Sequence, residues 1–376
     1  MDRQKVMHGV RRLVVKVGSG VLTSEQGKID RAVFDAIAEQ CARALGPKRS
    51  LVLVSSGAIA LGVEQLKLAA RPKRMDALQA CAAAGQGHLI RVWSEAFAPS
   101  GRVVAQVLLT HADLADRKRF LNARRCLAEL TSCDAIPIIN ENDTVSVEEI
   151  AFGDNDALSS QVANLVGADL LVMLSVAPGL LDRDRRVGEV LPQEPGVERL
   201  IWEDKSPRGT GGMATKVKAA RAAASRGIAA VIASGKMPNA LDRILAGEDV
   251  GTIFFPVEDR LASRAHWIAH TLRAKGTVVV DQGAVAALVQ RHRSLLPSGV
   301  TAVRGTFQQG DAVDLAGPEG AVFARGLATY SASELESIRG RRATEILGIL
   351  GYHLGDEVVH KDDLVILPEA REAARR

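Results

Sequence analysis

No apolar run in this 376-residue chain is long enough to cross a bilayer; the longest are strand-sized. The opening stretch, MDRQKVMHGVRRLVVKVG, has no apolar signal-peptide core ahead of the first strand-like run. The expectation is a cytoplasmic protein with no membrane partner. Cysteine is scarce: Cys41, Cys81, Cys126 and Cys133 form no C-x-x-C pair and all sit in helix-like segments. That argues against a disulfide framework or structural zinc and for buried free thiols. No HExxH or other close histidine pair occurs, so no side chain is assigned as a metal ligand. A Walker A loop, an internal repeat and a low-complexity tract are all missing. So is a basic surplus where nucleic acid would need one. The net charge is +4, and from Thr271 to Arg376 there are 13 Lys+Arg against 13 Asp+Glu.

What is present is a globular composition, 47% hydrophobic and 24% charged, on a chain whose length suits two domains. Continuous apolar runs at 13–18, 51–57, 103–110, 135–140, 170–175 and 228–235 predict strands covered on both faces. Helical spacing lies between them. At 30–46, Val33, Phe34, Ile37, Ala38, Cys41 and Leu45 share a face, Asp30 is placed to cap, and Gly46-Pro47 stops the helix. Further helices are expected at 76–97, 119–133, 157–167 and 213–226. Alternating strands and helices imply an α/β fold, a mostly parallel sheet sandwiched by helices. After about residue 270 short strands with Gly, Pro and Asp turns predict a small β-rich domain, with the boundary near Ala274–Gly276. The expected domains are 1–270 and 275–376.

Four stretches carry chemistry. Lys16 lies in the first strand, where alternation puts Leu13, Val15 and Val17 on one face and Val14, Lys16 and Gly18 on the other. A lysine near the end of a buried strand needs an anion, because an unpaired buried charge is very costly. Gly18, Ser19 and Gly20 follow, in a turn that could bring backbone N–H groups to a phosphate at the carboxyl end of a sheet. A lysine snorkelling at the sheet edge reads equally well. GTGGMATK, 209–216, opens a helix with Gly211 and Gly212 at its positive end, an anion site, and Lys216 in a first turn that propensity alone would not choose. A plain glycine loop is the alternative. SSGAIALG, 55–62, has small residues whose backbone N–H groups admit a carboxylate or phosphate, or make only a tight strand-to-helix turn. Finally, INENDTVSVEEIAFGDNDALSS, 139–160, crowds carboxylates and asparagines between a strand and a helix. Carboxylates bind an ammonium or magnesium and amides hold a carboxylate, so a zwitterionic amino acid suits the run. A solvated acidic loop is the other reading.

These stretches, with LLTHADLADRKRFLNARRCLAEL at 108–130, resemble the glutamate 5-kinases of the amino acid kinase family. VDQGAVAAL, SLLPSGV and GDAVDL resemble the PUA domain appended to bacterial members. The resemblance spans nearly the whole chain. It implies ATP-dependent phosphorylation of the γ-carboxylate of L-glutamate to L-glutamyl 5-phosphate, the first step of proline biosynthesis. It also implies magnesium, a homo-oligomer (dimer or tetramer) and feedback inhibition by proline. By motif match, Lys16 and Lys216 contact the transferring phosphoryl group. Lys16, Gly18, Ser19, Ser175, Val176, Thr210, Gly211, Gly212, Met213, Ala214, Thr215 and Lys216 form the nucleotide site. Ser56, Gly57, Asp143, Asn155 and Asp156 form the glutamate site.

The chain departs from the family pattern at Val176, where an aspartate is usual, at Leu181, where a tyrosine is usual, and at Ala151, where a basic residue is common. Weaker ATP and glutamate binding is the expected consequence. Three alternatives stand beside this reading: another enzyme of the same fold, a regulatory pseudokinase binding glutamate or proline, and an RNA-binding PUA protein.

Overall fold

The computed structural model describes residues 2–24, 28–46, 49–145, 155–192, 194–197, 200, 212–257 and 273–367. The chain divides into two compact units, Met1–Arg260 and Leu261–Arg376.

Eight strands make the first unit's sheet: β1 (Arg12–Val17), β2 (Ser50–Ser55), β3 (Val104–Leu109), β4 (Ile136–Glu141), β5 (Leu170–Ser175), β8 (Glu189–Val190), β9 (Ala229–Ser234) and β10 (Thr252–Phe254). Between β5 and β8, β6 (Leu181–Asp182) and β7 (Arg185–Arg186) pair as a small hairpin. The order across the sheet is β3-β4-β2-β1-β5-β9-β10-β8. Neighbours from β3 to β9 run parallel, and β10 runs antiparallel to β9. Lys16 pairs in register with Val54 on one side and Met173 on the other, so it lies on the central strand. The chain leaves β1 toward β2 and returns to it only at β5. In open α/β sheets, the carboxyl ends of the strands at such a reversal are the usual ligand site.

The helices that cover the sheet are α1 (Arg3–His8), α2 (Ser19–Leu22), α3 (Arg31–Ala44), α4 (Ala58–Gln65), α5 (Met75–Phe97), α6 (His111–Ala115), α7 (Arg117–Ser132), α8 (Asn155–Leu165), α9 (Met213–Ala224) and α10 (Ala240–Leu245). Strand alternation sends Leu13, Val15 and Val17 into one core with Phe34, Ile37, Trp93 and Phe97. Val14, Val54 and Met173 enter the other core, with Leu158, Val162, Val217 and Ala220. Helices therefore lie on both faces. The α4–α5 crossing is unusually close. A Cβ on Gly62 would sit 1.7 Å from the Cys81 carbonyl oxygen, and one on Gly85 would sit 1.9 Å from that of Ala58.

Two local expectations are corrected. Asp30 occupies the N-cap of α3, but its side chain makes no capping bond. The Val33 and Phe34 N–H groups donate instead to its backbone carbonyl, at 3.1 and 3.4 Å. Cys41 and Cys81 are buried, with burial pushing the Cys41 thiol up to about 12, but Cys126 and Cys133 are exposed. Helix α7 buries Leu121 and Leu127, which turns Cys126 to solvent, and Cys133 caps its C-terminus.

The second unit has a five-stranded sheet, β11 (Gly276–Val280), β12 (Val300–Gly305), β13 (Ala312–Ala316), β14 (Val322–Leu327) and β15 (Leu364–Ile366), in the order β12-β11-β13-β14-β15. Its core holds Val278, Val280, Leu315, Tyr330, Leu335 and Ile338. Among the described residues, no helix is long and apolar enough to cross a membrane.

Candidate active site

The buried lysine of β1 has its anion. Lys16 Nζ donates to Asp156 Oδ1 at 2.6 Å, and Lys216 Nζ donates to Asp156 Oδ2 at 3.1 Å. The Thr215 hydroxyl donates to the same Oδ2 at 2.7 Å. Lys16 is 4% exposed, Lys216 6% and Asp156 0%. Asp156 belongs to the first turn of α8, and Thr215 and Lys216 to the first turn of α9. A carboxylate there suits the positive ends of both helices. It also explains how a lysine is tolerated in the first turn of α9. Burial would push the Asp156 carboxyl up. The two lysine charges and the Lys16 and Thr215 hydrogen bonds outweigh it and hold Asp156 below the usual aspartate range. For Lys216, burial comes first and Lys16 adds repulsion; Asp156 opposes both, and the net shift is downward from the ordinary lysine value.

On the β2–β4 side of this cluster lies a ladder of amides. Asn155 Nδ2 donates to Ser56 Oγ at 2.9 Å and to Asn140 Oδ1 at 3.0 Å. Asn140 Nδ2 in turn donates to Gln86 Oε1 at 2.9 Å. Ser56 sits just past β2, where Gly57, in the left-handed region at φ +115°, begins α4. A side chain at that φ would be strained, so glycine is required for the chain to turn there. Behind Ser56, Trp93 Nε1 donates to Ser55 Oγ at 2.8 Å, which ties α5 to the end of β2.

The structure thus brings Lys16, Ser56, Asn155, Asp156, Thr215 and Lys216 to the carboxyl ends of the central strands. Asp156, read from the sequence among the glutamate contacts, has both carboxylate oxygens engaged by protein groups. Gly18 caps the short α2, and its N–H donates to the Leu174 carbonyl at 3.0 Å, so that donor of the turn is already spent. Ser19 opens α2. Ser175 ends β5, and its carbonyl accepts from the Gly235 N–H at 2.8 Å. Val176 follows, 48% exposed, and a Cβ on Gly20 would meet its Cγ1 at 3.2 Å. Leu181 lies in β6. Gly212 caps α9, which Met213 and Ala214 open. Asp143 is half-buried in the turn after β4. Thr210, Gly211, Ala151 and the Phe152–Asp154 part of the acidic motif lie outside the described residues. Sequence reasoning missed Gln86. Its one signal was Gly85-Gln86-Gly87 inside a helix, two glycines where propensity disfavours them.

Residues 11–234 match the amino acid kinase family, and residues 276–350 match the PUA domain. The chain is 50% identical over 368 residues to the glutamate 5-kinase of Myxococcus xanthus (strain DK1622), covering 96% of this chain and 97% of that protein. It is 47% identical over 385 residues to the glutamate 5-kinase of Anaeromyxobacter dehalogenans (strain 2CP-C), covering 98% and 100%. Among solved structures, Giardia carbamate kinase aligns at 20% identity with a TM-score of 0.49, over 66% of this chain and 100% of its own. The family match and the curated relatives define a kinase, and its sheet is of α/β architecture. The chain belongs to the amino acid kinase family, within its glutamate 5-kinase group, and carries a PUA domain after the kinase region.

Proposed function

We propose that this protein transfers the γ-phosphoryl group of ATP to the γ-carboxylate of L-glutamate, giving L-glutamyl 5-phosphate as the first step of proline biosynthesis. The supporting observation is the Lys16–Asp156–Lys216 cluster at the end of the central strand, beside an amide ladder suited to an amino acid. Residues 1–270 form the catalytic domain and 275–376 a PUA-like domain. The protein is a cytoplasmic homo-oligomer, and proline competes at the glutamate site.

The chemistry needs little proton movement. A glutamate side chain has a pKa near ~4.3, so the nucleophile is ionised at neutral pH and no general base is required. The obstacle is the approach of two anions. Lys16 and Lys216, held at one carboxylate, place positive charge where the transferring group develops negative charge, and the N-terminus of α9 adds its dipole. Asp156 fixes the two ammonium groups before substrate arrives, so no reorganisation is needed at the moment of transfer. Among the described residues no three His, Cys, Asp or Glu side chains converge, and Asp156 is fully engaged. Magnesium, which the family leads us to expect, would supply further positive charge at the phosphate oxygens.

Hydroxylamine trapping tests the reading. Protein, L-glutamate, ATP and magnesium should give γ-glutamyl hydroxamate, and Lys216→Ala should lose at least ~10²-fold in kcat, the scale for one preorganised donor. A Lys216→Ala protein of near-normal kcat would refute the role. The pH profile is a second check. With its pKa held below the ordinary lysine value, Lys216 loses its proton early on the alkaline side. An alkaline limb in kcat should therefore begin below the range of a free lysine. Lys216→Arg, slower overall, should lack that limb, since guanidinium stays protonated.

A further inference from the structure

The amide ladder of the site ends in two groups that have no hydrogen-bond partner among the described residues, Gln86 Nε2 and Asn155 Oδ1, both buried. They are of opposite character, one a donor and the other an acceptor. Between them the bonds run in one sense: Asn155 donates to Asn140, and Asn140 to Gln86. This leaves the donor at the Gln86 end and the acceptor at the Asn155 end. A buried polar group without a partner costs free energy that a ligand can recover. A ligand that recovers it at both ends offers an acceptor to Gln86 and a donor to Asn155. The α-carboxylate and α-ammonium of an amino acid do so.

We propose that Gln86 is a substrate-binding residue that donates from Nε2 to the α-carboxylate of the acceptor amino acid, with Asn155 Oδ1 taking its ammonium group. The assignment rests on the kinase reading above. It also fixes the substrate's direction. The carboxylate to be phosphorylated faces Lys16 and Lys216, and the other carboxylate falls to the amide ladder. Gln86 holds its place because α4 and α5 touch at Gly62 and Gly85: the residue beside Gly85 is brought to the end of β4, within 2.9 Å of Asn140. Recognition through a neutral amide favours an α-carboxylate over an α-amide at this end of the ligand, and so selects free glutamate over its α-amide.

The discriminating experiment compares L-glutamate with L-isoglutamine, its α-amide, as hydroxamate-forming substrates of wild-type protein, Gln86→Glu and Gln86→Leu. Gln86→Glu keeps the oxygen that accepts from Asn140 and removes the free donor, so the ladder survives. The expected result is a rise of about 10- to 100-fold in the KM for glutamate, the scale of a hydrogen bond to a charged group, with kcat and the KM for ATP little changed. L-Isoglutamine should lose far less, or gain, because its amide can donate to the introduced carboxylate. Gln86→Leu should lose glutamate affinity without that gain. Equal losses on both substrates in Gln86→Glu would mark a purely structural role and overturn the proposal, as would an unchanged KM for glutamate. A wild-type protein that forms no hydroxamate from glutamate would instead overturn the kinase reading and the assignment with it.

Discussion

Asp156→Ala is expected to be the most damaging single substitution in the site, lowering kcat by about 10³-fold and costing about 3–5 kcal/mol of stability. Two buried ammonium groups, 4% and 6% exposed, share this one carboxylate. Removing it takes a shared carboxylate away from two buried like charges, and breaking a buried pair in this way is expensive. The lysines would move apart, which would spoil the placement the proposed transfer needs. Asp156→Asn keeps hydrogen-bonding capacity but not the charge, so it should fall between wild type and Asp156→Ala in both measures. Urea denaturation and single-turnover trapping check the pair, and an Asp156→Ala protein with kcat within tenfold of wild type would sink the account. The pH dependence has a definite sign. The carboxyl is held below its ordinary value, so its contribution to stability is complete above the pKa of an unfolded aspartate, about 3.9. That contribution is lost as pH falls through the lower, folded-state value. Lys216 acts in the opposite window. With its folded pKa below the unfolded one, stability rises with pH between the two, since the unfolded chain binds that proton more tightly.

The second large effect is steric and sits away from any charge. Gly62→Ala should destabilise the protein by about 3 kcal/mol or more, the upper range of overpacking, because its Cβ would lie 1.7 Å from the Cys81 carbonyl oxygen and 2.4 Å from the carbon. Those atoms are backbone, so no rotamer change relieves the clash and α4 must part from α5. Helix α5 carries both Gln86 and Trp93, whose bonds reach Asn140 and Ser55. The same substitution should therefore raise the KM for glutamate more than the KM for ATP. Gly87→Ala is the control on the same helix: a Cβ there meets nothing within 4 Å. It should leave stability unchanged or raise it by up to about 1 kcal/mol, the propensity difference. Thermal melts of the two variants decide the matter, and equal melting temperatures would refute the close-crossing explanation.

These sites differ in how far the sequence reveals them. Lys16 and Lys216 stood out because each breaks a local rule, a charge in an apolar strand and a cation at a positive helix end. Such conflicts mark function or a partner elsewhere. The parallel sheet was equally legible, since runs such as LLVMLS leave no polar face. Strand β10 was not, being three residues that pair antiparallel only because β9 is there to receive them. Helix α4 shows only as the strand-to-helix turn of SSGAIALG, since Gly57 and Gly62 argue against helix. The place of Gln86 depends on how that helix crosses α5. Its role follows from where two backbones touch, and no window of local sequence carries that information. The acidic run does not itself say which of its carboxylates faces two lysines from distant segments; the structure puts Asp156 there.

The central position of β1 also has a consequence for how the chain reaches its final form. Lys16 is made early, yet Asp156 follows it by 140 residues and Lys216 comes 60 later still. Until α8 and α9 have emerged, the strand destined for the middle of the sheet carries an ammonium group with no carboxylate to meet it. Burying that strand first is unfavourable, so closure of the sheet around β1 waits for contacts distant in sequence. Long-range closure of this kind makes folding slow. If the cluster serves transfer as proposed, catalytic competence and completion of the sheet arrive together, because the same ion cluster lets the middle strand go in.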